Sequence, residues 1–337
     1  MVDYSQYGQA LVLQQLLTSD TPKILVDIGA NDGICGSNSR TLLEQGWRGL
    51  LVEPLPQVFA RLQTNSTGLP DVRLVHAACS DRDGTASIRL GRDGALGQMS
   101  SLSMDPAIAS NLADECAEVR TVTLEHLLWN YDIPEDFGVL LIDTEGWDLT
   151  VLRGLEQARS RPRIIVTEDF AGTNEEKYAF LTQQKYRYVR SWGSDSFWIS
   201  ESHPADTKSL RLPIFRLPQV WEPTGKLANS GRVMFDQNAS FGYAVAGWAW
   251  TEVNKEPEPN IVIALRRIDS GDTYLFQAWR TPRPDVAAVF ESDHLLMSGF
   301  RGHVDVPMGE YELIVLQQSA GYYSRDSAQR IFLPLSG

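Results

Sequence analysis

Cysteine, histidine, positive charge and long apolar runs are all scarce in this chain of 337 residues. The three cysteines, Cys35, Cys79 and Cys116, are an odd and scattered set, which argues against a disulfide framework and fits thiols kept reduced. No Cys-x-x-Cys pair and no clustered histidine accompanies them, so a zinc site has no ligand pattern to rest on. No apolar stretch approaches the roughly 18 residues that a membrane helix needs. Residues 1–14 carry no basic stretch ahead of an apolar one, so no signal peptide is read there and a cytoplasmic protein without a membrane span is expected. Lys and Arg number 30 against 43 Asp and Glu, a formal net charge of -13. Such a surface repels phosphate-rich partners, and no nucleic-acid partner is expected.

What is present is an ordinary globular composition, 43% apolar and 22% charged, in a chain long enough for two domains. The first two-thirds alternates apolar runs with helical spacing: residues 23–27 (KILVD), 49–53 (GLLVE), 72–79 (VRLVHAAC), 138–143 (GVLLID) and 163–167 (RIIVT). Continuous apolar strands separated by helices predict an α/β fold, a doubly wound parallel sheet covered on both faces. Residues 186–190 and 197–200 flank a turn and read as an antiparallel pair closing one sheet edge. Prolines 204, 213, 218 and 223 then punctuate a stretch with no period. The division expected is a first domain over 1–203, a linker over 204–224 and a smaller all-β, sandwich-like domain over 225–337.

The loop Asp27-Ile28-Gly29-Ala30-Asn31-Asp32-Gly33 leaves the first strand and enters a predicted helix. Gly29 and Gly33 let the backbone turn sharply and approach a ligand without a Cβ in the way. A nicotinamide fingerprint would read Gly-x-Gly-x-x-Gly. The carboxylate ahead of the glycine here would meet a pyrophosphate badly, but it suits an ammonium group such as the methionine end of S-adenosylmethionine. Glu53 ends the next strand, where an acid accepts hydrogen bonds from both ribose hydroxyls. The small residues of His76-Ala77-Ala78-Cys79 leave room for an adenine, and Asp81 is placed to pair with its amino group.

These blocks, with Ser100-Ser101-Leu102, Val122-Thr123-Leu124 and LLIDTEGWDLTVLRGL at 140–155, resemble the FkbM-type S-adenosylmethionine-dependent methyltransferases over roughly residues 24–166. The resemblance implies a Rossmann-like sheet with one reversed strand and methyl transfer to an oxygen of a sugar or other small molecule. It implies cofactor contacts from Asp27, Gly29, Asn31, Glu53 and Asp81, and it matches Asp143 and Glu145 to the family's Asp-x-Glu-Gly pattern. Residues 91–118 form a long segment, Gly-rich early, that is read as a lid or acceptor contacts.

Methyl transfer to a hydroxyl needs alignment and a place for the proton. Asp143 and Glu145, after the fourth main strand, and Glu168 and Asp169, after the fifth, are the candidate catalytic acids. The same cluster suits Mg²⁺ through oxygen ligands, and base and metal readings both stay open. Trp147 is a candidate pocket wall. The tail holds Trp248, Trp250, Trp279, Tyr322 and Tyr323, and its Gly247-Trp248-Ala249, 283–286 and 298–300 segments resemble β-modules appended to glycan-modifying transferases. The acceptor expected is a saccharide or related metabolite. A polyketide or other natural product, a non-catalytic nucleoside or glycan binder, and a homo-oligomeric assembly remain open alternatives.

Overall fold

The computed structural model describes residues 3–91, 100–102, 112–169, 174–205, 207, 210, 227–228, 234–236, 243–248, 250–251, 260–281, 287–288, 298–304, 306–319, 322–325 and 329–333. They form two compact units, one of Met1–Val189 with Asp195–Arg211 and one of Arg190–Ser194 with Leu212–Gly337.

The first unit is built on ten strands: β1 (Ile24–Ile28), β2 (Arg48–Glu53), β3 (Val72–His76), β4 (Ala78–Ser80), β5 (Gly84–Gly91), β6 (Leu112–Thr123), β7 (Asp136–Ile142), β8 (Arg161–Glu168), β9 (Tyr186–Trp192) and β10 (Asp195–Ser200). Seven form the main sheet in the order β3-β2-β1-β7-β8-β10-β9. β1, β2, β3, β7 and β8 pair in parallel, and β10 runs antiparallel to β8. The apolar runs of β1, β2, β7 and β8 are buried along nearly their whole length, as a parallel sheet covered on both faces requires. The order reverses between β1 and β7. A crevice therefore opens beyond their carboxyl ends, the switch point at which such sheets bind ligands.

The helices are α1 (Gln9–Leu16), α2 (Arg40–Glu44), α3 (Pro56–Asn65), α4 (Leu124–Asn130), α5 (Asp148–Arg153) and α6 (Asn174–Gln183). Pro56 sits at the start of α3, where its fixed φ and missing N–H cost nothing. Thr123 caps α4 by accepting the His126 N–H at 3.2 Å.

Three local expectations change. The helix read over residues 37–45 is shorter and spans Arg40–Glu44. Asp32 Oδ1 accepts the amides of Ile34 and Cys35 at 2.9 and 2.8 Å, so the side chain competes with helix formation. The run 72–79 is two strands. β3 belongs to the main sheet, while β4 turns away at Ala77 to pair with β6 in a second sheet ordered β4-β6-β5. Of the stretch 91–118 read as a lid, residues 112–118 belong to β6, antiparallel to β5. Residues 92–99 and 103–111 lie outside the described residues.

The second unit is all-β. Its strands hydrogen-bond continuously in the order Met234–Asp236, Tyr243–Trp248, Gly299–Val304, Thr273–Thr281, Asn260–Arg267, Gly309–Ser319 and Tyr322–Arg325. Gln329–Leu333 also pairs with Gly309–Ser319, and Leu227–Ala228 pairs with Trp250–Thr251. Val245, Ile261, Ile263, Phe276 and Phe300 are buried in it. Most of the expected linker, the segment 283–286, and the side chains of Trp250, Trp279, Tyr322 and Tyr323 lie outside the described residues. Among the described residues, no helix is long and apolar enough to cross a membrane.

Candidate active site

The cleft at the switch point encloses about 640 Å³ counted out to its open mouth. Its lining comes from the ends of β1, β2 and β7, from residues 77–79, and from Ile88, Ser100 and Leu102.

The glycine loop is held by the sheet itself. The amides of Gly29 and Ala30 both donate to the Val52 carbonyl at 3.0 Å, and the Asp143 amide donates to the Ile28 carbonyl at 2.9 Å. Gly29 has φ +86°, and a Cβ built on it would lie 1.8 Å from the Asp143 carbonyl oxygen. No other residue fits there. Asn31 also adopts a left-handed backbone, with φ +49°. Gly29, Asn31 and Glu53 all line the cleft.

Glu53 is buried, and its Oε1 accepts the Leu55 amide at 2.8 Å. Burial pushes its carboxyl up to about 7, against the partial relief of hydrogen bonds from the Leu55 and Asn31 amides. Asp27 is buried beneath the loop rather than on the cleft lining, where burial raises its carboxyl to about 6 and a hydrogen bond from Ser39 opposes the rise. Gly33 also lies off the lining. It turns the loop at φ +75° beside Leu62, 2.7 Å from where a Cβ would be.

Ala77, Ala78 and Cys79 line the cleft. Leu55, Ala78 and Ile88 pack as one apolar cluster with Leu102 against it, an apolar wall that suits an adenine ring. Asp81 is exposed and off this wall, accepting the Ser80 hydroxyl at 3.2 Å. The Cys79 thiol is pushed far up by burial, so it is not a nucleophile.

The acidic wall comes from the loop after β7. Asp143, Thr144, Glu145 and Trp147 line the cleft. Carboxylate oxygens of Asp143, Glu145 and Glu168 lie within 4.8 Å of one another. Asp143 opens onto the cleft, but protein crowds it closely. Burial, then the charges of Asp195 and Asp148, hold its carboxyl well above the usual range, opposed by a hydrogen bond with Glu168. Glu168, 4% exposed, is raised by burial first and then by Asp143, Glu145, Asp148 and Asp195. Contact between the two carboxyls disfavours ionising both together.

Asp169 is placed differently. Its carboxylate accepts the Ser196 hydroxyl at 2.8 Å and the Tyr178 hydroxyl at 2.7 Å, and pairs with Lys177 at 3.1 Å. The Lys177 ammonium also donates to the Glu168 main-chain carbonyl. Asp169 therefore belongs to a buried clamp behind Glu168, away from the cleft lining.

Other contributors were not singled out by sequence reasoning. Asp195, paired with Glu168 across β10 and β8, accepts the Asn38 amide at 2.8 Å. It was read only as part of a turn. Asp148 accepts the Thr144 and Thr167 hydroxyls at 3.1 and 3.0 Å, fixing the loop between β7 and α5. Ser101 donates to the Glu145 main-chain carbonyl at 2.6 Å and thereby steadies a residue with φ +52°. Its signal was the Ser-Ser-Leu block, which carried the resemblance but no assigned task.

Sheet order and cleft together describe a Rossmann-like domain. Residues 27–188 match the family model described as the methyltransferase FkbM domain. Over those residues the chain is similar to that family, and the match supports an S-adenosylmethionine-dependent methyltransferase domain. No curated protein matches it. Among solved structures, it is similar to a precorrin-6y C5,15-methyltransferase from Geobacter metallireducens at 15% identity, covering 57% of this chain and 85% of that one with a TM-score of 0.30. It is also similar to a SAM-dependent methyltransferase from Aquifex aeolicus at 9% identity, covering 57% and 88% with a TM-score of 0.31.

Proposed function

We propose that the first unit transfers the methyl group of S-adenosylmethionine to a hydroxyl oxygen of a saccharide or a related polyhydroxylated metabolite. The observation that supports this best is the acidic wall, where Asp143 and Glu145 border the cleft and Glu168 lies close behind. Carboxylates accept hydrogen bonds from hydroxyl groups and repel phosphates. The net charge of -13 adds to the case against a nucleic-acid acceptor.

Gly29, Asn31 and Glu53 hold the cofactor, with Glu53 accepting from the ribose hydroxyls and the Leu55–Ile88 wall taking the adenine. The acceptor oxygen then attacks the methyl carbon in line with the sulfur. A C–O bond forms, the C–S bond breaks with its electron pair going to sulfur, and neutral S-adenosylhomocysteine leaves. The hydroxyl proton passes to the acidic wall, where Asp143 is the residue we assign to accept it. Trp147, whose indole N–H donates to Ser80 at 3.3 Å, offers a flat face beside it.

The test is methyl transfer from labelled S-adenosylmethionine to a panel of saccharides and hydroxylated polyketides, read by mass spectrometry. A saccharide gaining one methyl group supports the reading. Transfer to polyketides alone moves the acceptor to that class. Asp143→Asn is expected to cut turnover by about 100-fold, the scale of a general base, and to change cofactor affinity little. Unchanged turnover removes Asp143 from the chemistry.

A further inference from the structure

The acidic wall has a surplus of negative charge and a buried oxygen without a donor. Glu168 Oε2 is inaccessible to solvent and has no hydrogen-bond partner, in a side chain only 4% exposed. Buried polar atoms of this kind are rare, and an ion at the site is one of the few things that account for them. The neighbouring ammonium, that of Lys177, is turned to Asp169 and the Glu168 main chain.

We infer that Asp143, Glu145 and Glu168 form a binding site for a hard divalent cation of the Mg²⁺ type. Two oxygens bound to one such ion stand at most about twice the metal–oxygen distance apart, roughly 4–5 Å from Mg²⁺ to Ca²⁺. The three carboxylates already meet at that spacing, within 4.8 Å. An all-oxygen ligand set, with no histidine or cysteine in the group, selects Mg²⁺ or Mn²⁺ over zinc or copper. The ligands come from two strand ends that hydrogen bonds elsewhere hold still. Asp143 is tied to β1 through its amide, Ser101 holds the Glu145 carbonyl, and Lys177 anchors the Glu168 main chain.

Three protein ligands leave up to three of six octahedral positions open toward the cleft. Two adjacent hydroxyl oxygens of an acceptor fit such a vacancy, so the acceptor class narrows to vicinal diols. This inference rests on the cleft being the methyl-transfer site, but its test needs no acceptor.

The full chain is stripped with a chelator, dialysed, saturated with S-adenosylhomocysteine and titrated with Mn²⁺, with free Mn²⁺ followed by electron paramagnetic resonance. One bound ion per chain is expected, displaced by excess Mg²⁺ and weakened by about tenfold or more in Glu168→Gln. Circular dichroism reports whether that variant folds, and Glu145→Gln, on the partly exposed loop, serves if it does not. An undiminished free-ion signal, or equal affinity in a folded variant, overturns the site. Failure of S-adenosylhomocysteine to bind would instead count against the methyltransferase reading of the cleft.

Discussion

At the scale of single residues, the loop and the first acid of the cleft make the sharpest demands. Gly29→Ala places a methyl group 1.8 Å from the Asp143 carbonyl at a φ of +86°, so one of the two chains must move. Backbone strain of this kind costs about 1–3 kcal/mol before the clash is counted. The expected outcome is a lowered melting temperature and no detectable cofactor binding by calorimetry. Glu53→Ala should weaken cofactor binding by about 1–3 kcal/mol through lost ribose hydrogen bonds.

Glu53 also makes stability depend on pH. Its carboxyl stands at about 7 in the fold against an ordinary 4.5, so the folded chain holds the proton more tightly than the unfolded one. The stabilisation is complete below pH 4.5 and is lost as pH rises through 7, an effect of about 3 kcal/mol. Without cofactor, the melting temperature should fall between pH 5 and pH 8, and fall less in Glu53→Gln. Cofactor binding should strengthen over the same range, because ribose hydroxyls donate to the ionised form. A flat profile in the parent protein would remove Glu53 from both roles.

At the scale of elements, the strands were legible from their apolar runs, and the ends of those runs supplied Gly29, Glu53 and Asp143, which line the cleft. What was not legible depended on side chains competing with local pattern. Asp32 captures two amides and delays the helix. Ala77 lies at the break between two sheets inside one apolar run. Asp169 stands beside Glu168 in sequence but faces Tyr178 and Ser196, because neighbouring residues leaving a strand point opposite ways. Ser101 belongs at this scale too, since it ties the segment 100–102 to the loop after β7. Ser101→Ala should lower turnover by about tenfold, the scale of one hydrogen bond, while cofactor affinity is preserved. Ser101→Thr should keep most of the activity. Equal losses in both variants would mean a packing role instead.

At the scale of the whole molecule, the chain contributes residues to the second compact unit twice, since Arg190–Ser194 cluster with Leu212–Gly337. Within that unit the fully buried Trp192 packs edge-on against Phe276 at 5.1 Å and Tyr274 at 6.0 Å. We propose Arg211 as the last residue of a separable first unit. Truncation there should leave a chain that binds S-adenosylhomocysteine but self-associates through the uncovered indole. Trp192→Ser in the truncated chain should restore a monomer by size-exclusion chromatography. Loss of cofactor binding in both truncated chains would show that the first unit does not stand alone.

The contact between Gly29 and the Asp143 carbonyl has a further bearing on how such a protein diversifies. Where not even one carbon can be added, Gly29 is not free to drift, and the main chain that carries Asp143 stays seated against it. Variation in what the cleft admits must then arise elsewhere on its lining, as at Ser100, which borders the same cleft.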